Sequence, residues 1–171
     1  MSTFGQRIQG ALLLDNGIYE EVEADHTATG QAMVIVVVSS LASGIGVHAS
    51  DGALSVTQGV IGALLGWALW AGLTYFIGTR LLPTPATSSS WGEMLRTTGF
   101  AAAPGLFRAL SFLPILGLLI YFVVSVWMLV TFVVAVRQAL DYTSTWRAVG
   151  VCLTGWLVNL FLGVLLVPFA R

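Results

Sequence analysis

The sequence predicts an all-α fold: a polytopic transmembrane helical bundle of about five spans, with short amphipathic interfacial helices at the amino terminus. Two observations carry that expectation. Hydrophobic residues make up 57% of the 171 positions and charged residues only 9%, against roughly 25% charged in soluble domains. Long apolar stretches also recur along the chain, separated by short polar or proline-containing turns, the pattern of successive membrane helices. The natural division is 1–28 as cytoplasmic amphipathic helices and 29–171 as one transmembrane domain.

From Met1 to Leu14 the chain is amphipathic, with Phe4, Ile8, Ala11 and Leu12 at helical spacing and Gln6, Arg7 and Gln9 opposite. It lacks the apolar core and small-residue cleavage site of a signal peptide, so the first span is expected to be retained. A second short helix follows through the acidic stretch Glu20, Glu21, Glu23 and Asp25, around Ile18, Tyr19 and Val22. The first span is expected over 31–47, roughly 25 Å at ~1.5 Å per residue and at the short end of a crossing. A polar turn over His48–Ser55 leads to a second span over 57–82, which Pro83 and Pro85 stop. Ser90 and Glu93 form an S-x-x-E capping box that opens a third, Pro104-kinked span over 91–111. Pro114, in the first turn of a new helix, opens the most apolar segment, 113–140. Arg137 and Asp141 close that segment at i, i+4 spacing, and the last span runs over 146–169, with cap candidates at Thr143, Ser144 and Thr145.

Arginine placement sets the expected topology. With the amino terminus cytoplasmic and five crossings, Arg7, Arg80, Arg96, Arg137 and Arg147 fall on the cytoplasmic side, and Arg108 and Arg171 fall opposite, as does the carboxyl terminus. A re-entrant 91–111 segment would reduce this asymmetry to parity. Seven arginines and no lysine against eight acidic residues leave no broad basic surface, so nucleic acid is not an expected partner. Cys152 lies in an apolar run and reads as a small buried residue.

Small residues form the most specific packing pattern: Ser55, Gly59, Gly62 and Gly66 share one face of the second span, and Gly62 and Gly66 form GxxxG. Such a stripe lets helix backbones approach closely, within one chain or across a homo-oligomer or partner interface. The acidic patch with His26 reads as a solvated face, or as a basic-partner site, because its ligand atoms do not converge as metal sites require. His48, Ser50, Asp51 and Ser55 carry the residue types of a hydrolase triad but sit in a short turn without an oxyanion site. Arg108 is the most polar group in the expected membrane zone. It reads as a side chain snorkelling to the interface, or as a buried ion-pair or lipid-headgroup contact. Asn159 reads as an interhelical hydrogen-bonding group or a substrate contact. No HExxH, P-loop or paired intramembrane carboxylates occur. No catalytic, metal or cofactor site is expected.

The run Leu95, Arg96, Thr97, Thr98, Gly99, Phe100, Ala101, Ala102, Ala103 and Pro104 resembles the Yip family of Ypt/Rab-interacting membrane proteins. The stretch Asp15 to Asp25, continuing through Gly30, Gln31 and Ala32, looks like the family's bacterial branch. So does Leu113–Gly117 opening a span that contains Trp127 and ends at Arg137–Leu140. The resemblance implies five spans with the amino terminus inside, and Gly99, Phe100 and Pro104 as motif positions. Eukaryotic members bind prenylated small GTPases through a cytosolic amino-terminal region. Here Phe100, Ala101 and Ala102 depart from the Gly-Tyr-Ser-Leu motif and only the residues up to Gly30 precede the first span, so Rab-type GTPase binding is not expected.

The function expected is that of a non-enzymatic membrane protein, in a bacterial inner membrane, that organises the bilayer or assembles with other membrane proteins. Its expected partners are the lipid bilayer, a second copy of itself or another membrane protein. A channel or transporter-like oligomer with Asn159, Thr74 or Arg108 lining a lumen is the alternative. An intramembrane enzyme ranks third, because the spans offer almost no convergent titratable groups.

Overall fold

The computed structural model describes residues 1–47, 52–113 and 115–166 and, of their side chains, those of 1–44, 56–113 and 115–161. The expected turn residues His48, Ser50 and Asp51, Pro114, Pro168 and Arg171 lie outside the described residues, as does the side chain of Ser55. Among the described residues every element is helical: α1 (Phe4–Leu12), α2 (Asn16–Ala24), α3 (Ala28–Val47), α4 (Gly52–Phe76) with a π-turn at Ile77–Leu81, α5 (Trp91–Ala101), a 3-10 helix (Ala103–Phe112), α6 (Gly117–Ala139) and α7 (Thr145–Leu166). The stretches Val56–Leu81 and Gly117–Ala139 are long and apolar enough to cross a membrane. A third candidate arises if α2 and α3, bent by 119° at their junction, form one broken span. The expected count of five therefore exceeds the two to three that length and composition support among the described residues.

Helix starts follow local chemistry. Ser90 and Glu93 form the expected capping box: the Ser90 hydroxyl accepts from the Glu93 N–H at 3.3 Å, and the Ser90 N–H donates to the Glu93 carboxylate at 2.7 Å. A second box, missed in the sequence, joins Thr3 and Gln6 at the start of α1, although its T-x-x-Q spacing is the same signal. Asp15 caps α2 by accepting from the Gly17 N–H at 2.9 Å. The chain reverses between α1 and α2 at Leu14, whose φ of 62° is the left-handed conformation that closes a helix. There the Asp15 N–H reaches back to the Gly10 carbonyl at 2.9 Å.

The third segment is not one kinked α-helix. Pro104 has no N–H and its ring would collide with the carbonyl four residues back, so α5 stops at Ala101 and the chain continues as a ten-residue 3-10 helix. Such runs rarely exceed 3–4 residues, and this one is held from outside. The Ala101 carbonyl accepts from the Thr131 hydroxyl of α6 at 2.7 Å, and the Ala102 carbonyl from the Ser39 hydroxyl of α3 at 3.0 Å. The Ala101 carbonyl thereby gains a donor where lipid would offer none, and the Ala102 carbonyl, which already accepts from the Gly105 N–H at 2.9 Å, gains a second.

Packing centres on this segment, which touches α3, α4 and α6 and is braced by α1 and α2. Within this segment Gly99 makes the closest approach: a Cβ there would lie 2.6 Å from the Ala32 Cβ and 3.2 Å from its Cα, and 3.0 Å from the Trp67 ring. By contrast, a Cβ on Gly59 would meet none of the described residues within 4 Å. Gly99→Ala is therefore expected to destabilise the bundle by ~1–3 kcal/mol, and Gly59→Ala to leave it unchanged or slightly firmer. Thermal unfolding of both variants in detergent checks the contrast.

Candidate functional site

Two arrangements gather the polar side chains. The first is an electrostatic collar at one end of the bundle. Arg7, expected on the exposed face of α1, is instead 2% exposed. Its guanidinium donates to Glu21 at 2.8 and 3.1 Å, to Asp25 at 2.8 Å and to Gln31 at 3.0 Å, tying α1, α2 and α3 together. The reason is geometric: α2 folds back on α1 through Gly10, where Ile18 leaves no room for a Cβ, and so places Glu21 and Asp25 over Arg7. The Ser2 N–H and hydroxyl also donate to Glu21, at 2.8 and 2.7 Å. These donors hold the Glu21 carboxyl down at about 2, and Thr27 with Arg7 does the same for Asp25.

Arg96 is 3% exposed and donates to the carbonyls of Val22 and Glu23, in the last turn of α2. It supplies a cation where the helix dipole is negative and the last carbonyls lack helical donors. Glu20 accepts from Gln138 of α6 at 3.1 Å. The acidic stretch is thus largely spent on intrachain contacts. Arg137 donates to the Tyr142 carbonyl at 3.2 Å and makes no ion pair with Asp141, because Asp141 turns the chain in the left-handed region, φ 51°. The Tyr142 hydroxyl then donates to the Gly78 and Leu82 carbonyls at the end of α4.

The second arrangement is a groove of about 630 Å³ between α3, α4, the 3-10 helix, α6 and α7. Four residues singled out from the sequence on separate grounds line it together: Gly59, Gly66, Arg108 and Asn159. Gly62, on the same helix, does not. In a 3-10 helix side chains three apart eclipse, so Ala102, Gly105 and Arg108 form one row along its wall. Gly105 lets that wall close on α3, since a Cβ would lie 3.0 Å from the Ser39 Cβ. Arg108 places its guanidinium 4.8 Å from the Tyr121 ring centroid and donates to the Ser125 hydroxyl at 3.1 Å. Its Nε and the Trp70 Nε1 are buried with no hydrogen-bond partner among the described residues. Thr74, a candidate lumen residue, lies elsewhere: it is fully buried and donates to the Trp70 and Ala71 carbonyls of its own helix. Cys152 is buried in an apolar cluster.

Gly99, Phe100 and Pro104 lie at the centre of the bundle, all buried. Gly99 permits contact with α3, Phe100 packs edge-on against Phe4 of α1 at 6.4 Å, and Pro104 ends α5. A family model described as the Yip1 domain matches residues 17–167. The chain belongs to the Yip family. No curated protein and no solved structure gives a significant match. The matched region of this Yip-family protein begins one residue into α2, after α1, and contains the whole of the groove wall.

The half-buried Glu23 has its carboxyl raised to about 7, first by desolvation, then by Asp141 and Glu93, with Arg96 opposing and Glu20 adding. Between its ordinary value and about 7 the unfolded chain gives up this proton while the folded chain keeps it. Stability therefore falls as pH rises through that window and levels off above it. Glu23→Gln is expected to melt higher than wild type at about pH 8 and to match it at about pH 4. Glu21 and Asp25 have the opposite sign: their contribution is present above their ordinary range and is lost as pH falls toward about 2. Arg7→Met should flatten that acid loss in melts recorded at descending pH.

Proposed function

We propose that this protein crosses the membrane five times and acts as a non-enzymatic partner or organising subunit for other membrane components. The observation that carries this reading is the separation of its polar groups. The carboxylates of the amino-terminal helices are spent on bracing one end, whereas the groove among the spans offers Arg108, Asn159 and indole N–H to something that binds. That is equipment for recognition, not for general acid–base turnover. The resemblance to the bacterial branch favours an inner-membrane location.

The five-crossing topology is supported by the length of the third segment. Eleven α-helical residues and ten 3-10 residues reach roughly 36 Å together, more than the ~30 Å hydrocarbon core. Arg7, Arg96 and Arg137 belong to the collar end, while Arg108 sits beside Tyr121 and Ser125, near the opposite end of α6. This distribution favours the collar on the cytoplasmic side.

Two experiments test these points. In a Cys152→Ser background, Ser88→Cys is expected to resist a membrane-impermeant maleimide in intact cells, and Ile115→Cys to react. Reaction of both or neither would make 91–112 re-entrant. Gentle extraction of the tagged chain should recover a defined membrane-protein complex, and a chain that always purifies alone as a monomer would overturn the subunit role.

A further inference from the structure

We infer that the groove binds an anionic phospholipid, whose phosphate is held by Arg108 and whose acyl chain lies along the wall of Ala102, Gly105, Met128 and Phe132. The inference needs the bundle to lie in a membrane but does not need the subunit role. Four observations carry it. The first is charge: both ion pairs among the described residues are made by Arg7, so Arg108 enters the groove without a carboxylate from the described residues. An intramembrane cation is costly unless an anion or polar group meets it.

The second is donor capacity. Arg108 is held in place by Ser125 and the face of Tyr121, yet its Nε is buried with no partner among the described residues. A guanidinium presents its N–H groups as a planar fork that fits two phosphate oxygens, and is desolvated more easily than an ammonium. Fixing the fork against Tyr121 and Ser125 removes part of the ordering cost of binding. The third is the Trp70 Nε1, on α4 four residues after Gly66, which has no partner among the described residues. It is a donor suited to an ester carbonyl, a group that lies just below the phosphate in a phospholipid.

The fourth is shape. About 630 Å³ falls within the roughly 300–1,000 Å³ of small-ligand sites. The lining is mainly apolar, with the Ser39, Ser40 and Ser43 hydroxyls already donating to the Ala102, Val37 and Ser39 carbonyls. Gly59 and Gly66 keep the α4 side open, since a Cβ on either meets nothing within 4 Å. A hydrophilic anion would leave the apolar wall unused, whereas a lipid satisfies wall and cation together.

The test is native mass spectrometry of the full chain released from nanodiscs of phosphatidylcholine with a minor fraction of phosphatidylglycerol. Wild type is expected to retain phosphatidylglycerol about tenfold over phosphatidylcholine, consistent with a charge-assisted contact. Arg108→Gln should bring that preference to near unity while lipid is still carried. Gly66→Leu, which fills the groove, should lower retention of both lipids, while Gly62→Leu, on the same helix outside the groove, should not. Circular dichroism melts confirm that each variant is folded, and Gly59→Leu, also on the groove, replaces Gly66→Leu if that variant is not. A preference unchanged in Arg108→Gln, or retention unchanged in Gly66→Leu, would overturn the inference. So would displacement of phosphatidylglycerol by millimolar inorganic phosphate, which would make the site a free-anion site, or release of lipid-free dimers, which would give the face to a second copy.

Discussion

The arrangement turns on one covalent constraint: a proline in the middle of a segment that lies among apolar helices. Pro104 cannot continue the α-helix, and carbonyls freed in a bilayer need a protein donor. Thr131 supplies that donor to Ala101, and Ser39 adds a second donor to Ala102, which also accepts from the Gly105 N–H. Those bonds draw α3 and α6 onto the segment from two sides, and Gly99 and Gly105 make the approach sterically possible. The change from 3.6 to 3.0 residues per turn then aligns Ala102, Gly105 and Arg108. Had the helix remained α, Arg108 would have rotated away from the row by successive increments. The same break thus satisfies the backbone, fixes the packing and orients the one arginine among the described residues that faces the groove.

At the other end the constraint is electrostatic. Arg7 and Arg96 are nearly fully buried, and burying a guanidinium without partners would cost more than the helices could return. Arg7 meets carboxylates; Arg96 meets the carbonyl end of a helix. Both therefore act as geometric fasteners, because leaving either partner would expose an uncompensated buried charge. The two also explain why α2 turns so sharply into α3: the last turn of α2 is held by Arg96 from α5, while Asp25, immediately after it, is held by Arg7 from α1. Trp127 adds a third attachment by donating to the Leu12 carbonyl at 3.1 Å, fastening the α1–α2 hairpin to the flank of α6.

Much of the architecture was legible because it is local. The Ser90–Glu93 box, the apolar segments and the stop at Pro83 each depend on residues a few positions apart, whereas at Pro104 a kink was expected and α5 instead ends. The residues of the groove were legible too, but singly: Gly59 and Gly66 as small residues, Arg108 and Asn159 as polar groups in an apolar zone. Nothing in their spacing announces that they converge, since they come from three elements whose relative rotation is set by Pro104. Arg7 was misread for a related reason. Its helical position is polar by periodicity, and only the return of α2 over α1, permitted at Gly10, converts that polar face into an interior one. The π-turn at Ile77–Leu81 has no local signature either; it forms where Tyr142 donates to two carbonyls from the α6–α7 connection.

Glycine is used in two opposite ways, and the difference bears on what the protein does. At Gly10, Gly78, Gly99 and Gly105 a Cβ would strike a neighbouring element, so internal packing is a sufficient physical reason for the residue. At Gly59, Gly62 and Gly66 a Cβ would meet nothing within 4 Å, and packing within the described chain gives no such reason. A helix carries an intrinsic penalty of roughly 1 kcal/mol for each glycine relative to alanine. Three such residues on one membrane-facing helix therefore oppose its stability without any internal return. Two of the three lie on the groove that also holds Arg108 and Trp70. The cost is most simply offset by what comes to lie against that face, which makes the open glycines and the unpartnered N–H groups two signs of the same binding surface.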